Sequence, residues 1–407
     1  MKVLFIAPRM PLPADTGGKI RTFNIIKQLA KNNDVTLACF SFNDGDHFFL
    51  KDFKALNIKV KLVSKKENNF FQKCWYVFMN ILPYSAAKYY CPLMFKAIEG
   101  LLVDEPFDLI HVDHVHMAHY VSSFKGIPCL VDQHNVEYRI LERCASVERM
   151  IIKKIIYKAQ AKKMKRYESK MLRYFSAASA VSKDDAQILV ELLDAAIPIH
   201  VLPNGVDTGY FKWPIIEQIN GDADSLIEEN AVVFTGSMDW LPNDDSALYF
   251  CKKILPLIWC LDNKVKFYIV GKNPSHQLIE YAKKDKRIEL TGRVDDVRVY
   301  VAKSKVFVVP LRIGGGTRLK ILESLSMKKP VVSTTIGAEG IDYTQDENIV
   351  LADIPEIFAE KVFSLLKDEA RRRLLGEAGR KLVKEKYDWS IVGEKLESIY
   401  QGIKNEK

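Results

Sequence analysis

The feature that most limits what this chain can become is an alternation, run through twice, of short apolar stretches with segments of helical periodicity. In the first half the apolar stretches are KVLFIA (2–7), DVTLACFSF (34–42), DLIHV (108–112), IPCLVD (127–132) and ASAVS (178–182). In the second half they are AVVFTG (231–236), VKFYIV (265–270), KVFVVP (305–310) and PVVST (330–334). Such near-continuous runs fit parallel strands covered on both faces. Between them lie helical stretches such as Lys19–Lys31, with Ile20, Phe23, Ile26 and Ala30 on one face. The pattern predicts an α/β protein of two doubly wound, Rossmann-like parallel-sheet domains. The length of 407 residues also exceeds one ordinary core.

The turn residues Pro203, Asn204 and Gly205, followed by a polar, acidic stretch over Glu217–Asn230, put the boundary near 203/204. The expected domains are 1–203 and 204–387. Three helices close the chain, over Ile354–Lys367, Glu369–Lys386 and Ser390–Asn405. The opening MKVLFIAPRMPLP reads as a buried first strand rather than a leader, because Arg9 follows at once and no small-residue cleavage site appears. No run of about 18 uncharged apolar residues occurs, so no spanning helix is expected. Seven scattered cysteines without a C-x-x-C pair suit reduced thiols in a cytoplasmic protein. The net charge of +9 suits an anionic ligand or an anionic membrane surface and does not choose between them.

PLRIGGGTRLKILESLSMKKPVV (310–332) carries the chemistry. Gly314, Gly315 and Gly316 permit close approach of a ligand to bare backbone. Thr317 is placed to cap the following helix, whose face holds Leu319, Leu322, Leu325 and Ser326, with Lys328 and Lys329 at its negative end. A glycine-rich turn opening a helix presents free N–H groups to an anion, and Arg318 and Lys320 add full charge. Glu323 lies roughly 10 Å further along the axis, a spacing that suits a ribose whose phosphates sit at the helix start. The competing reading is an ordinary helix with solvated charges. Gly17 and Gly18 open a second helix with Lys19 and Arg21 beyond, either an anion-tolerant start or a plain turn. His134 lies just past a strand end.

This block, with PADTGG (13–18), DQHNVE (132–137), LPNGVD (202–207), FTGSMDWLPN (234–243) and TGRVDDV (291–297), resembles the GT-B glycosyltransferases of group 1/family 4, typified by sucrose synthase and bacterial mannosyltransferases. The resemblance spans nearly the whole chain. It implies an inter-domain cleft, a nucleotide-sugar donor, a glycan or lipid-linked acceptor, retained anomeric configuration and no cofactor or required metal. Donor-binding positions implied by it are Gly17, Gly18, Gly236, Ser237, Arg293, Val294, Gly314, Gly315, Gly316, Thr317, Arg318, Lys320 and Glu323, and His134 falls beside the transferred sugar. The last helix, 388–407, is expected to return to the first domain. Two departures stand out. The turn 236–243 lacks the family's Arg and Lys clamp, and Gly315 replaces the first of its paired glutamates. Arg318 and Lys320 are the candidates to supply the missing charge. The departures keep two rivals open, a non-catalytic nucleotide-binding subunit and a nucleotide-sugar epimerase of the same fold.

HVDHVHMAH (111–119) holds four histidines, but its spacing matches no standard zinc pattern, so these residues are read as lining the ligand side of the first domain or as surface groups. The basic stretch 149–173, with Ile151, Ile152, Ile155, Ile156, Met164 and Met171 as a rough stripe, reads as an amphipathic helix on anionic lipid at the inner face of the cell membrane. The aromatic stretch 68–95 reads as an interfacial or acceptor-binding flap. No nucleic-acid-binding motif accompanies the charge. Exported or cell-envelope polysaccharide synthesis is the expected setting; the sequence does not specify base, sugar, linkage or acceptor.

Overall fold

The structure, a computed structural model, describes residues 1–120, 126–148, 150–212, 229–314 and 316–405. It divides into two compact units, Met1–Asn204 with Trp389–Lys407, and Gly205–Asp388. The first holds seven strands: β1 (Lys2–Ala7), β2 (Asp34–Ser41), β3 (Lys59–Ser64), β4 (Leu109–Asp113), β5 (Cys129–Gln133), β6 (Ala177–Ala180) and β7 (Ile199–Val201). Their order is β3-β2-β1-β4-β5-β6-β7, every pair parallel. The second holds β8 (Glu229–Thr235), β9 (Lys266–Val270), β10 (Ile288–Gly292), β11 (Ser304–Val309), β12 (Val331–Ser333) and β13 (Val350–Leu351). Their order is β10-β9-β8-β11-β12-β13, again all parallel. All nine expected strands form, each within two residues of its expected ends. The polar stretch expected over 217–230 falls largely outside the described residues.

In both sheets the strand order reverses once, between β1 and β4 and between β8 and β11. The crevice beyond the carboxyl ends at such a reversal is where open α/β sheets bind ligands. The core of each unit lies on the two faces of its sheet. In the first, Val3 and Phe5 of β1 and Leu37 of β2 pack under Ile25, Ile26 and Leu29 of the Gly17–Leu29 helix, and under Val392, Leu396 and Tyr400 of the Trp389–Asn405 helix.

The Gly17–Leu29 helix packs its expected face inward, with Ile26 buried and Ile20, Phe23 and Ala30 against the same core, and it also buries Arg21 and Thr22 with Ile25 and Leu29. Arg21 is not a cation at an anion site. Its Nε and Nη2 donate to Asp132 Oδ2 and Oδ1 at 2.9 and 2.7 Å. Its remaining protons reach Leu202 O, Pro203 O and Asn204 Oδ1 at 2.9, 2.8 and 3.0 Å. The pair thus ties the helix after β1 to the end of β5 and to the chain leaving β7. Burial pushes the Asp132 carboxyl up, but Arg21 outweighs it and holds the carboxyl well below the usual range.

The histidine segment also departs from expectation. His111 is a core residue of β4, stacked on Phe5 at 4.3 Å with Nδ1 2.7 Å from Tyr400 Oη. His119 is buried as well, in the 3-10 turn Val115–Tyr120. Neither is a surface group.

The Ile151–Met171 helix is not amphipathic along one stripe. Its C-terminal half buries Gln160, Ala161, Met164, Tyr167, Glu168 and Met171, while Ile151, Ile152 and Ile155 are exposed. Glu168 explains the register, since its carboxylate accepts from the backbone N–H groups of Glu137 and Tyr138 at 3.1 and 3.0 Å, at the start of the Glu137–Val147 helix. Arg149 lies outside the described residues.

Asp132→Asn leaves the Arg21 guanidinium buried beside a neutral amide, and is expected to lower stability by about 3–5 kcal/mol at pH 7 in a urea titration. The wild-type contribution is present above the ordinary carboxylate pKa and is lost as pH falls through the depressed folded value. The gap between wild type and variant therefore narrows only in acid.

Candidate active site

In the second unit the carboxyl edge at the β8/β11 reversal gathers two cations, Lys320 and Arg318, one carboxylate and bare backbone. Gly236 follows β8, its N–H bonded to Val270 O at 2.9 Å. A Cβ at Gly236 would lie 2.7 Å from both Lys320 Nζ and Asn243 Nδ2, so a side chain there would displace the amine. Lys320 Nζ donates to Asn243 Oδ1 at 2.8 Å and sits 4.0 Å from the centre of the Phe234 ring. Asn243 in turn donates to Ser237 O at 2.8 Å. Lys320 therefore stands at the turn where the family resemblance leads one to expect a clamp from residues 236–243. Asn243 and Phe234 belong to this arrangement and were not singled out from sequence; their only signal was their position around the glycine turn.

Lys320 leads the helix Leu319–Ser326. Arg318 is its N-cap residue, and its guanidinium folds over Gly314. Thr317 lies one residue before the N-cap position, which Arg318 takes, and its hydroxyl donates to Gly340 O at 3.2 Å. Lys328 and Lys329 do not serve as last-turn cations either. Lys328 adopts φ 56° past the helix end, and Lys329 is buried with its amine on Ala302 O at 2.9 Å. Gly316 takes φ 69°, a left-handed conformation that glycine adopts without a Cβ penalty. Gly315 lies outside the described residues.

Burial pushes the Lys320 ammonium down to about 7, with Arg318 adding repulsion. Burial pushes Glu323 up to about 7, against the pull of Lys320. Among the described residues the Glu323 carboxylate has no hydrogen-bond partner. Arg293, exposed, and Val294, half-buried, follow β10 at the same sheet edge, two strands from β8, and the structure brings neither against Lys320.

In the first unit, Gly17 and Gly18 open the helix after β1, and a Cβ at Gly18 would touch His114 Nε2 and His134 Nδ1 at 3.8 Å. His134 Nε2 lies 2.7 Å from Asp113 Oδ1, and Asp113 Oδ2 accepts from Thr22 Oγ1 at 2.8 Å. Asp113 thus fixes the ring and leaves Nδ1 facing Gly18. The His114 ring lies 3.6 Å from that of His134, and burial, with the His134 charge, pushes its imidazole down to about 3. Asp113 and His114, from the segment read as lining the ligand side of the first domain or as surface groups, join Gly17, Gly18 and His134 here, and Thr22, which the sequence reading did not pick out, completes the arrangement. An imidazole held by a carboxylate can exchange a hydrogen bond with a hydroxyl. The other edge, with its cation and glycine backbone, suits a phosphate.

Two parallel-sheet units with polar groups at the strand-order reversal define the GT-B class. The fold is that of sucrose-phosphate synthase from Thermosynechococcus elongatus, at TM-score 0.72 and 16% identity over 100% of both chains. It is also that of Anabaena Alr3699/HepE, solved with UDP and glucose, at TM-score 0.66 and 14% identity over 99% of this chain and 100% of that one.

Residues 16–210 match the family described as Glycosyltransferase Family 4, and residues 229–368 match Glycosyl transferases group 1. The chain belongs to these glycosyltransferases. An uncharacterised 44.6 kDa protein of the cps region of Klebsiella pneumoniae is 24% identical over 74% of this chain and 76% of its own. The capsular polysaccharide biosynthesis glycosyltransferase CapM of Staphylococcus aureus is 28% identical over 33% of this chain and 37% of its own. The first of the curated relatives it matches is spanned over only 38% of its length.

A buried lysine with a depressed pKa costs stability while it is charged in the folded state. The cost is complete below about pH 7 and disappears as pH rises toward the ordinary lysine value. Lys320→Met is accordingly expected to raise stability by about 0.5–2 kcal/mol at pH 6. Thermal melts of both proteins should show that gain shrinking between pH 7 and 10.

Proposed function

We propose that the protein is a retaining glycosyltransferase moving a sugar from a nucleotide-sugar to a glycan or lipid-linked acceptor in cell-envelope or exported polysaccharide synthesis. The observation that carries this reading is the Lys320 amine, held over Gly236 with a neutral amide as its hydrogen-bond partner. A diphosphate there supplies the counter-charge that Asn243 does not. Arg318 and the backbone at Gly236, Ser237, Gly314 and Gly316 complete the donor site, and Glu323 accepts from ribose hydroxyls. Arg293 and Val294 meet the base. The UDP named for the Anabaena structure and the capsular role named for CapM support the donor class and the setting.

Catalysis is then positioning plus stabilisation of charge on the departing diphosphate by Lys320 and Arg318, without a cofactor. The acceptor oxygen attacks on the face the diphosphate leaves, and no protein nucleophile intervenes. His134, held at Nε2 by Asp113, hydrogen-bonds through Nδ1 to a hydroxyl of the sugar being transferred, with Gly17 and Gly18 allowing close approach. A non-catalytic nucleotide-binding role is the second reading, motivated by Gly315 and by the cation-free turn 236–243.

Single-turnover assays across UDP-, GDP-, ADP- and dTDP-sugars test the choice. Transfer or donor hydrolysis is expected with at least one donor, whereas nucleotide binding without either favours the second reading. The double change Arg318→Ala/Lys320→Ala is expected to weaken nucleoside diphosphate binding about 100-fold, two charge-assisted contacts being lost. In calorimetry the wild-type affinity falls as pH rises above 7, because Lys320 must then take up a proton to bind.

The same proposal places the protein on an anionic bilayer, at the inner face of the cell membrane. The helix Phe70–Phe78 buries none of its residues, and Phe71 and Ile81 are 82% and 93% exposed. Gln160 and Lys163 of the basic helix hold its end, donating to Val77 O at 2.9 Å and Asn80 O at 2.8 Å. Exposed Ile151, Ile152 and Ile155 accompany it, and a groove beside them is lined by Lys154, Lys158, Lys162 and Lys165. Apolar side chains bordered by lysines match the interface of an anionic leaflet. Among the described residues no helix is long and apolar enough to cross a membrane. Co-sedimentation with phosphatidylglycerol vesicles, weakened by salt and by Phe71→Ser/Ile151→Ser but absent with phosphatidylcholine, is the expected result.

A further inference from the structure

The chain after β4 brings together a second group of residues, which shares His114 with the arrangement around His134. His114 adopts φ 68°, a conformation uncommon outside glycine, with its N–H on Asp132 O at 3.0 Å. Its ring lies nearly parallel to that of His116, 5.5 Å away and tilted by 13°. His116 Nε2 is buried and makes no hydrogen bond. The carboxylate facing it, Glu137 Oε2, stands 3.5 Å off. Glu137 opens the Glu137–Val147 helix, and its own N–H is fixed by Glu168 at 3.1 Å. One ligand atom from each of His114, His116 and Glu137 lies within 4.8 Å of the others.

We propose that His114, His116 and Glu137 bind one divalent transition-metal ion, with zinc the best match. Two imidazoles, borderline donors, with one carboxylate make a ligand set zinc takes in three-ligand sites. Tetrahedral coordination with bonds near 2.1 Å sets ligand atoms about 3.4 Å apart, so closing the site needs side-chain rotation of about an ångström. A neighbouring group, Asp113, His114 and His134, has comparable spacing. It is the poorer candidate because Asp113 and His134 already bond each other, and Asp113 also holds Thr22. The pairing of His116 Nε2 with Glu137 Oε2 is looser, at 3.5 Å, and both are ligands of the proposed ion. The ion fastens the turn after β4 to the helix after β5, leaves a fourth position open, and stands whether or not the transferase reading does. The sequence spacing hid this site because its third ligand comes from another strand's loop.

The test is a zinc titration of chelator-stripped protein against a chromophoric chelator, with metal content by mass spectrometry and melting followed by circular dichroism. One zinc per chain is expected, together with a higher melting temperature. His116→Ala, His116→Asn and Glu137→Gln should each weaken binding at least tenfold, while Asp113→Asn retains it. The paired His116 variants separate ligand loss from misfolding, since both must melt cooperatively without zinc to count. The proposal is overturned by the absence of stoichiometric zinc, by unchanged affinity in cooperatively folded His116 or Glu137 variants, or by loss confined to Asp113→Asn.

Discussion

The second unit is organised around a lysine amine kept where water cannot fully solvate it. Lys320 points back across the end of β8, over a glycine that has no side chain to block it and an aromatic face that cannot neutralise it. A cation in that position is a standing cost to the folded chain. The cost makes sense if an anion is the missing partner, and the remaining features fit that partner: left-handed and bare glycine backbone, the Arg318 guanidinium as a second cation, and one turn on a carboxylate without a hydrogen-bond partner among the described residues. Sites of this sort trade stability for binding.

The first unit handles buried charge the opposite way. Arg21 and Asp132 satisfy each other and three further oxygens, so nothing remains for a ligand. That pair is scaffold, and it fixes the edge on which the imidazole of His134 is aligned by Asp113. Seen as sequence, Lys19 and Arg21 beyond a glycine pair look like the cations beyond the glycines at 314–316. The difference is periodicity: Arg21 falls on the inward face of its helix, between Ile25 and the sheet, and Lys320 falls at a helix start.

What could be read from the sequence follows the same physics. Every interior strand announced itself as an apolar run, because both faces of a central parallel strand are covered. The four strands that went unread, β3, β7, β10 and β13, are the four sheet edges. β3 reads KVKLVS, with lysines spaced two apart, and β7 and β13 are three and two residues long. Short, charged edges limit pairing with other chains and by the same means erase the hydrophobic signal. The donor motif was legible because it is contiguous. Asn243, Phe234 and Thr22 were not, since each contributes through a contact across tens of residues or more. His111 and His119 misled for a related reason: each is a buried imidazole whose Nδ1 meets a tyrosine hydroxyl, and sequence does not display the partner.

The account rests on where the diphosphate goes. A crystal structure of the protein with a bound nucleoside diphosphate decides it most directly. The account predicts a β-phosphate oxygen within about 3 Å of Lys320 Nζ, with Arg318 closing on the same group and the ribose hydroxyls on Glu323. A diphosphate bound elsewhere, with Lys320 still held only by Asn243, would contradict it.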